Sequence, residues 1–431
     1  MFRKIEEELL NWKNDYKKPL MIIGVRQIGK TYTIKKFCEE NYKNCLYFNL
    51  EREDDIRSIF ESTIDPEKII EKIEIMRKIT FDASNTIIFI DEIQKCEEAI
   101  TSLKYFCESE IPYKIICAGS LLGVKLNRMH SSFPVGKVTM KYMYPMDFEE
   151  FLMALGEQKL IVEIKNCYDN NKPILEVIHE KALDLYQKYL LIGGMPEVIN
   201  NFIINDQKIA RVNFDLQYQI LNAYLADMTK YTEDNDSIKN YKIYNSISTQ
   251  LSRENNNFKY SLVDKDARRI RYEDSLNWLI TSNMVLPCYL LDKNELPLNA
   301  FKNDEIFKLY LSDVGLLRAM LNVEYDEILL NKVEMYKGVL TENYVACDFI
   351  TKSRDLFYYR FSKYEIDFLI KIKGDIIPVE VKSGRRTTSN SLMEYINKYK
   401  PKYAIRISTK NFGFENNIKS IPLYAVFCIN K

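Results

Sequence analysis

The sequence predicts an α/β fold built on a parallel sheet, and three stretches predict it. Leu20–Thr31 reads LMIIGVRQIGKT: an apolar run passes straight into Gly24, and the loop closes with Gly29, Lys30 and Thr31. This is G-x-x-x-x-G-K-[ST] after an expected strand and before a helix-compatible stretch, Tyr32–Glu40. Thr86–Glu92 (TIIFIDE) is a buried-strand run that ends in two carboxylates, Asp91 and Glu92. Lys114–Ala118 is a third apolar strand, leading into Gly119-Ser120. Open α/β sheets bind ligands at the C-terminal ends of their strands, and all three stretches put polar residues there.

The chemistry follows from those residue types. In Gly24, Val25, Arg26, Gln27, Ile28 and Gly29 the glycines let backbone N–H groups turn inward around a phosphate, and the following helix points its positive end at it. Lys30 reaches the β- and γ-phosphates, and the Thr31 hydroxyl takes a place on Mg²⁺. Asp91 is placed to hold the same Mg²⁺, directly or through water. Glu92 is placed to orient and activate an attacking water. Ser120 is a candidate contact to the γ-phosphate or that water, inferred from its strand-end position, although Gly-Ser is also common turn chemistry. The expected ligands are ATP and Mg²⁺.

The totals bound the rest. The chain has 431 residues, 46% hydrophobic and 28% charged, enough for two or three globular domains. Its formal net charge is zero, so binding to nucleic acid or an anionic surface needs a local patch. Nine scattered cysteines without a C-x-x-C pair fit a reducing cytoplasm. Two histidines, His130 and His179, are too few and too separate for a His-based metal site. No 18-residue apolar run is present, and the N-terminus (Phe2, Ile5, Leu9, Trp12) is an amphipathic helix pattern rather than a signal peptide. A cytoplasmic protein without membrane association is expected. The first segment, 1–151, further contains a strand at Cys45–Leu50 and a helix marked by Ile69, Ile70, Ile73 and Met76.

The runs GVRQIGKT, TIIFIDEIQK, ICAGSLLG and YMYPMDFEEFL resemble the AAA-type ATPases of bacteria and archaea that carry a C-terminal restriction-endonuclease-like domain. The resemblance covers essentially the whole chain. It implies a P-loop sheet of the ASCE type, in which the strand ending at Ser120 lies between those bearing the phosphate loop and Asp91-Glu92. It also implies a small helical lid over the nucleotide, 152–232, containing Leu191-Ile-Gly-Gly-Met-Pro-Glu197. Gly-Gly before Pro marks either a lid joint or a helix–helix corner. Similar proteins often have Gly-Arg where this chain has Gly136-Lys137. Lysine lacks the bidentate fork of an arginine finger, with Arg128 a nearby candidate, which puts ring assembly and a homo-oligomer in doubt.

In the segment 233–331, Glu233–Asn240 reads as a linker. Helices follow around Ile243–Leu251, at Ser261–Ile270 and at Tyr272–Asn283, then strands at Met284–Leu291 and near Phe307–Leu311. That is the order of a winged helix. Arg268, Arg269 and Arg271 supply positive charge for DNA, but Glu273 and Asp274 open the third helix and oppose phosphate contact. A structural or protein-docking role is the default.

The last segment, 332–431, opens on a helix from Gly338 that carries Glu342. Strands are expected at Phe357–Arg360, Glu365–Ile370 and Ile376–Lys382, the last two joined by a hairpin at Lys373-Gly-Asp375, followed by a helix at Ser391–Tyr399 and a strand at Tyr403–Ser408. Glu365 and Asp367 share one strand face, as do Glu380 and Lys382, and the spacing of Asp367 from Glu380 suits an antiparallel pair. This is the D…E-x-K arrangement of the PD-(D/E)xK nucleases. Asp367, Glu380 and the helical acid Glu342 would hold Mg²⁺, Lys382 would position a water, and Arg385 and Arg386 would meet phosphates. Two functions follow. Either nucleotide state controls a nuclease acting on DNA or RNA, or the protein is an ATP-dependent regulatory switch whose C-terminal domain only docks a protein partner.

Overall fold

The computed structural model describes residues 1–15, 18–120, 122–123, 134–230, 234–324, 327, 334–384 and 390–430. The chain divides into two compact units: Phe2–Tyr144 with Thr281–Asn283, and Pro145–Ile280 with Met284–Lys431 and Met1.

The first unit is a parallel sheet with helices. Its elements are α1 (Ile5–Asn14), β1 (Leu20–Ile23), α2 (Lys30–Asn41), β2 (Asn44–Asn49), α3 (Asp54–Ser62), α4 (Pro66–Arg77), β3 (Thr86–Asp91), α5 (Glu97–Glu108), β4 (Lys114–Gly119) and β5 (Thr139–Tyr142). The strand order is β2-β3-β4-β1-β5, every pairing parallel. So β4 lies between β1 and β3, as the resemblance implies. Every residue of β1 and β3 is buried, which is why they read as unbroken apolar runs rather than alternating ones. One core joins Met21 and Ile23 to Ile88 and Ile90 and to Ile56, Ile69, Ile100 and Leu103 of the helices. Helix α4 starts where Asp65 accepts from Glu67 N at 3.1 Å with Pro66 in the first turn.

The second unit holds α6 (Phe148–Ala154), α7 (Gln158–Asn170), α8 (Glu176–Ile192), α9 (Pro196–Ile204), α10 (Asp215–Lys230), α11 (Asp234–Leu251), α12 (Arg269–Thr281), β6 (Val285–Leu291), β7 (Lys302–Leu311), α13 (Val314–Met320), α14 (Glu334–Thr351), β8 (Leu356–Phe361), β9 (Tyr364–Ile366), β10 (Phe368–Ile372), β11 (Asp375–Val381), α15 (Asn390–Tyr399), β12 (Ala404–Ser408), β13 (Gly413–Glu415) and β14 (Ile418–Pro422). One sheet is ordered β7-β6-β8-β9 and the other β10-β11-β12-β14-β13. The sequence divides this region at 232 and 331, yet its segments pack as one body. Strand β6 pairs in parallel with β8 across the second boundary (Cys288 opposite Leu356). Phe148 of α6 stacks edge-on against Tyr186 and Tyr189 of α8 and Tyr344 of α14. His179 is buried and structural, bonded to Tyr424 OH at 2.8 Å and Thr409 O at 3.1 Å.

Two expectations for the middle segment are corrected. The expected linker is helical from Asp234 on. The expected helix Ser261–Ile270 is a single 3₁₀ turn, Tyr260–Leu262, followed by loop up to the start of α12 at Arg269. Near Gly193-Gly194 the observed feature is a helix–helix corner. Gly193 (φ 73°) has no room for a side chain, since a Cβ would lie 2.3 Å from Asp313 Oδ1, and Gly194 N donates to Asp313 Oδ2 at 2.6 Å.

Candidate functional site

In the first unit the loop between β1 and α2 is held from several sides. Gly24 admits no Cβ, which would meet Met143 O at 2.2 Å. Gln27 (φ 64°) and Gly29 (φ 88°) are left-handed, the alternation that turns successive N–H groups toward one point. Val25 and Ile28 are buried beneath the loop and Arg26 is half-buried. Arg3, which sequence reasoning missed, donates to Ile28 O and Tyr144 O, both at 2.6 Å.

Lys30 is buried and donates to Gly24 O at 2.9 Å and Val25 O at 2.8 Å, so its ammonium lies across the loop. Thr31 Oγ1 donates to Asp91 Oδ2 at 2.7 Å. Tyr47 OH also reaches Asp91 Oδ2, at 3.3 Å, and the Glu92 amide donates to Oδ1 at 3.1 Å. Oxygen donors from a hydroxyl and a carboxylate, adjacent at a strand end, are the donor set that Mg²⁺ takes, so these residues fit the ion.

Glu92 has a left-handed backbone (φ 52°) and accepts a hydrogen bond from the Gln94 amide. Gln94 is a second residue that sequence reasoning missed. It is buried, and its Oε1 has no hydrogen-bond partner among the described residues. A Cβ at Gly119 would lie 2.0 Å from that oxygen, so the glycine before Ser120 makes room for the amide. The signal in the sequence was an amide two positions after the carboxylate pair, in a stretch otherwise apolar or basic. Ser120 is buried just past the end of β4.

The second unit assembles an acidic cluster. The β10–β11 register puts Phe368 opposite Val379, with Asp367 and Glu380 next in line. Lys373 (φ 48°) and Gly374 (φ 91°) form the expected two-residue hairpin. Glu365 and Asp367 are not on one strand. Tyr364–Ile366 folds back on β8, with Phe361 opposite Tyr364, and the chain crosses to the other sheet at Asp367. Asp367 Oδ2 accepts from Val381 N at 2.7 Å. Burial first, then the charges of Glu380 and Glu342, push its carboxyl well above the usual carboxylate range. Lys382 Nζ lies 2.5 Å from Glu380 Oε1.

The cluster is completed by residues that the sequence did not point to. Lys308 of β7 is fully buried, with Nζ 2.9 Å from Glu342 Oε1 and 2.8 Å from Glu365 Oε1. Burial pulls its ammonium pKa down, but Glu342, Glu365 and Asp367 outweigh that and hold it above the ordinary lysine value. Tyr310 OH donates to Glu342, and Arg360 pairs with Glu365 at 2.7 Å. No apolar–polar alternation announced Lys308, because a lysine in a half-exposed hairpin is ordinarily a surface residue.

Of the other candidates, Arg128, His130, Arg385 and Arg386 lie outside the described residues. Lys137 is paired with Glu108 at 2.9 Å. Arg269 sits inside α12 rather than before it, bonded to Glu273 at 3.0 Å and Glu305 at 3.3 Å, so its charge is met within the protein. Among the described residues, no helix is long and apolar enough to cross a membrane.

Comparison with known families agrees with the first unit. Residues 16–152 match the AAA domain family. Residues 183–327 and 337–426 match two domains of unknown function, DUF8612 and DUF4143. No curated protein matches the chain. Among solved structures, the chain is similar to a Walker-type ATPase of Pyrococcus abyssi, at 15% identity and a TM-score of 0.46, covering 75% of this chain and 96% of that one. It is similar to the ORC2 protein of Aeropyrum pernix at 13% identity and a TM-score of 0.36, covering 76% and 93%. The Cdc6p protein of Pyrobaculum aerophilum matches at 12% identity and a TM-score of 0.26, covering 76% and 92%.

Proposed function

We propose that the protein binds ATP with Mg²⁺, hydrolyses it, and passes its nucleotide state to the C-terminal part of the chain. The observation that carries this reading is the meeting of Thr31 and Asp91 at 2.7 Å, beside buried Lys30 and next to Glu92. Lys30 binds the β- and γ-phosphates by exchanging its carbonyl partners on Gly24 and Val25 for phosphate oxygens. The loop amides orient the triphosphate. Thr31 and Asp91 are the residues that would hold Mg²⁺, which supplies charge neutralisation on the phosphate oxygens. Glu92 takes the proton of the attacking water on a carboxylate oxygen, and Gln94, bonded to that carboxylate, sets where it points. Ser120 completes the polar rim.

For the C-terminal part, Asp367, Glu380 and Lys382 support a nuclease-like domain acting on DNA or RNA. A second reading has a specific observation in its favour: Lys308 already pairs with Glu342, the acid expected to bind metal. In that reading the C-terminal part docks a protein partner, and the chain is an ATP-dependent switch. The test is ATP hydrolysis by the full-length protein with and without DNA and RNA. Turnover stimulated by one polymer supports the nucleic-acid reading. A rate that ignores both polymers supports the switch, and the absence of any turnover overturns the proposal of hydrolysis.

A further inference from the structure

The residues expected to hold a metal in the C-terminal cluster do not fit one as they stand. Among the described residues, no group of three or more His, Cys, Asp or Glu side chains is arranged to hold a metal ion. Three of the four acids already face a protein cation. Glu342 faces Lys308 at 2.9 Å and accepts from Tyr310 OH. Glu365 faces Lys308 at 2.8 Å and Arg360 at 2.7 Å, and Glu380 faces Lys382 at 2.5 Å. The remaining acid, Asp367, is bonded to the Val381 amide.

We propose that Lys308 is the resident counter-cation of this cluster, occupying the charge position that a divalent ion would otherwise take. Its placement leaves little freedom. The side chain is 1% exposed, and the ammonium also lies over the Tyr358 ring, 5.0 Å from its centroid. A charge taken so far from water persists only when carboxylates compensate it, and those carboxylates need the ammonium for the same reason. A divalent ion bound by Glu342 would have to approach that ammonium directly. The network has a second consequence. Lys308 and Tyr310 come from β7, while Glu342 and Glu365 come from α14 and β9, so the ion pairs tie two stretches of sequence into one body.

This deepens the switch reading given above, and its test does not depend on ATP turnover, so either can fail alone. The probe is Mn²⁺, titrated by calorimetry into the nucleotide-free full-length chain carrying Asp91→Asn, which removes the ATP-site carboxylate. The expected result is no saturable uptake in that chain. Adding Lys308→Met takes the ammonium from Glu342 and Glu365 and is expected to create a saturable site. Lys308→Arg keeps the charge and is expected to leave uptake absent. One equivalent of Mn²⁺ bound by the parent chain and lost on Asp367→Asn overturns the proposal, and needs no Lys308 variant to fold. Gain of uptake in Lys308→Arg, or a folded Lys308→Met chain that takes up none, overturns it as well.

Discussion

At the phosphate loop, a threonine and an aspartate from two motifs meet beside strands whose residues are all buried. At the C-terminal cluster, two acids from α14 and β9 meet a lysine from β7, a strand read as part of another domain. Both sites place carboxylates at strand ends, and both bury a lysine. The lysines differ in what they face. Lys30 donates to two neutral carbonyls of its own loop, partners it can exchange for phosphate. Lys308 faces two carboxylates, and removing it leaves Glu365 with Arg360 alone and Glu342 with the Tyr310 hydroxyl. A ligand site keeps its cation on weak partners, whereas a structural ion-pair network satisfies its cation fully.

Four substitutions and one pH series probe that contrast. Glu92→Gln is expected to keep ATP binding and lower turnover by about 10²–10⁴-fold, the range for losing a general base; hydrolysis at the unaltered rate would remove Glu92 from that role. Lys308→Met is expected to destabilise the chain by about 3–5 kcal/mol in urea unfolding, because one partner of a buried pair is removed. If the loss is no larger than that of a surface lysine, the network is not what holds β7. Lys30→Ala is expected to weaken ATP binding at least about 100-fold, the scale of charged hydrogen bonds to phosphate, measured with a fluorescent ATP analogue.

The pH series concerns Asp313, which braces the Gly193–Gly194 corner. Burial pushes its carboxyl up to about 6, against the hydrogen bonds from Gly194, Leu316 and Gly315. The folded state therefore holds this proton more tightly than the unfolded one. Its contribution is fully present below the ordinary carboxylate pKa and is lost as pH rises through about 6. Relative to Asp313→Asn, the unaltered chain should gain at most about 3 kcal/mol of stability between pH 7 and pH 4, read from urea midpoints. Equal pH dependence in the two would show that the corner does not sense this carboxyl. The smallest effect is expected for Ser120→Ala, about three- to tenfold in ATP turnover, the worth of one neutral hydrogen bond.

Much of the first unit was legible because its signals are local. A loop that wraps a phosphate needs glycines where no Cβ fits, as at Gly24, and strands buried on both faces need apolar runs, as in Thr86–Asp91. Arg3 was not legible, since it acts on carbonyls distant in sequence, and Gln94 was marked only by its place two residues after Glu92. In the second unit the hairpin at Lys373-Gly374 and the pairing of Asp367 with Glu380 followed from turn chemistry and strand period. The break between β9 and β10 did not, because Glu365–Ile370 alternates as well as any single strand. Only the pairing of Tyr364 with Phe361 in another sheet divides it.

The sequence by itself determined where the phosphate loop lies, which carboxylates follow it at a strand end, and that a D…E-x-K pattern occupies one hairpin. These are short-range properties, set by residue type and by the fixed periods of strand and turn. The tertiary structure decided that Pro145–Ile280 and Met284–Lys431 pack as one unit, and that a 3₁₀ turn at Tyr260–Leu262 stands where a longer helix was expected. It also decided that Lys308 stands among the C-terminal acids. Those outcomes depend on which buried charges and aromatic faces meet across long stretches of chain. Desolvation decides such meetings, and it acts only once the chain has folded.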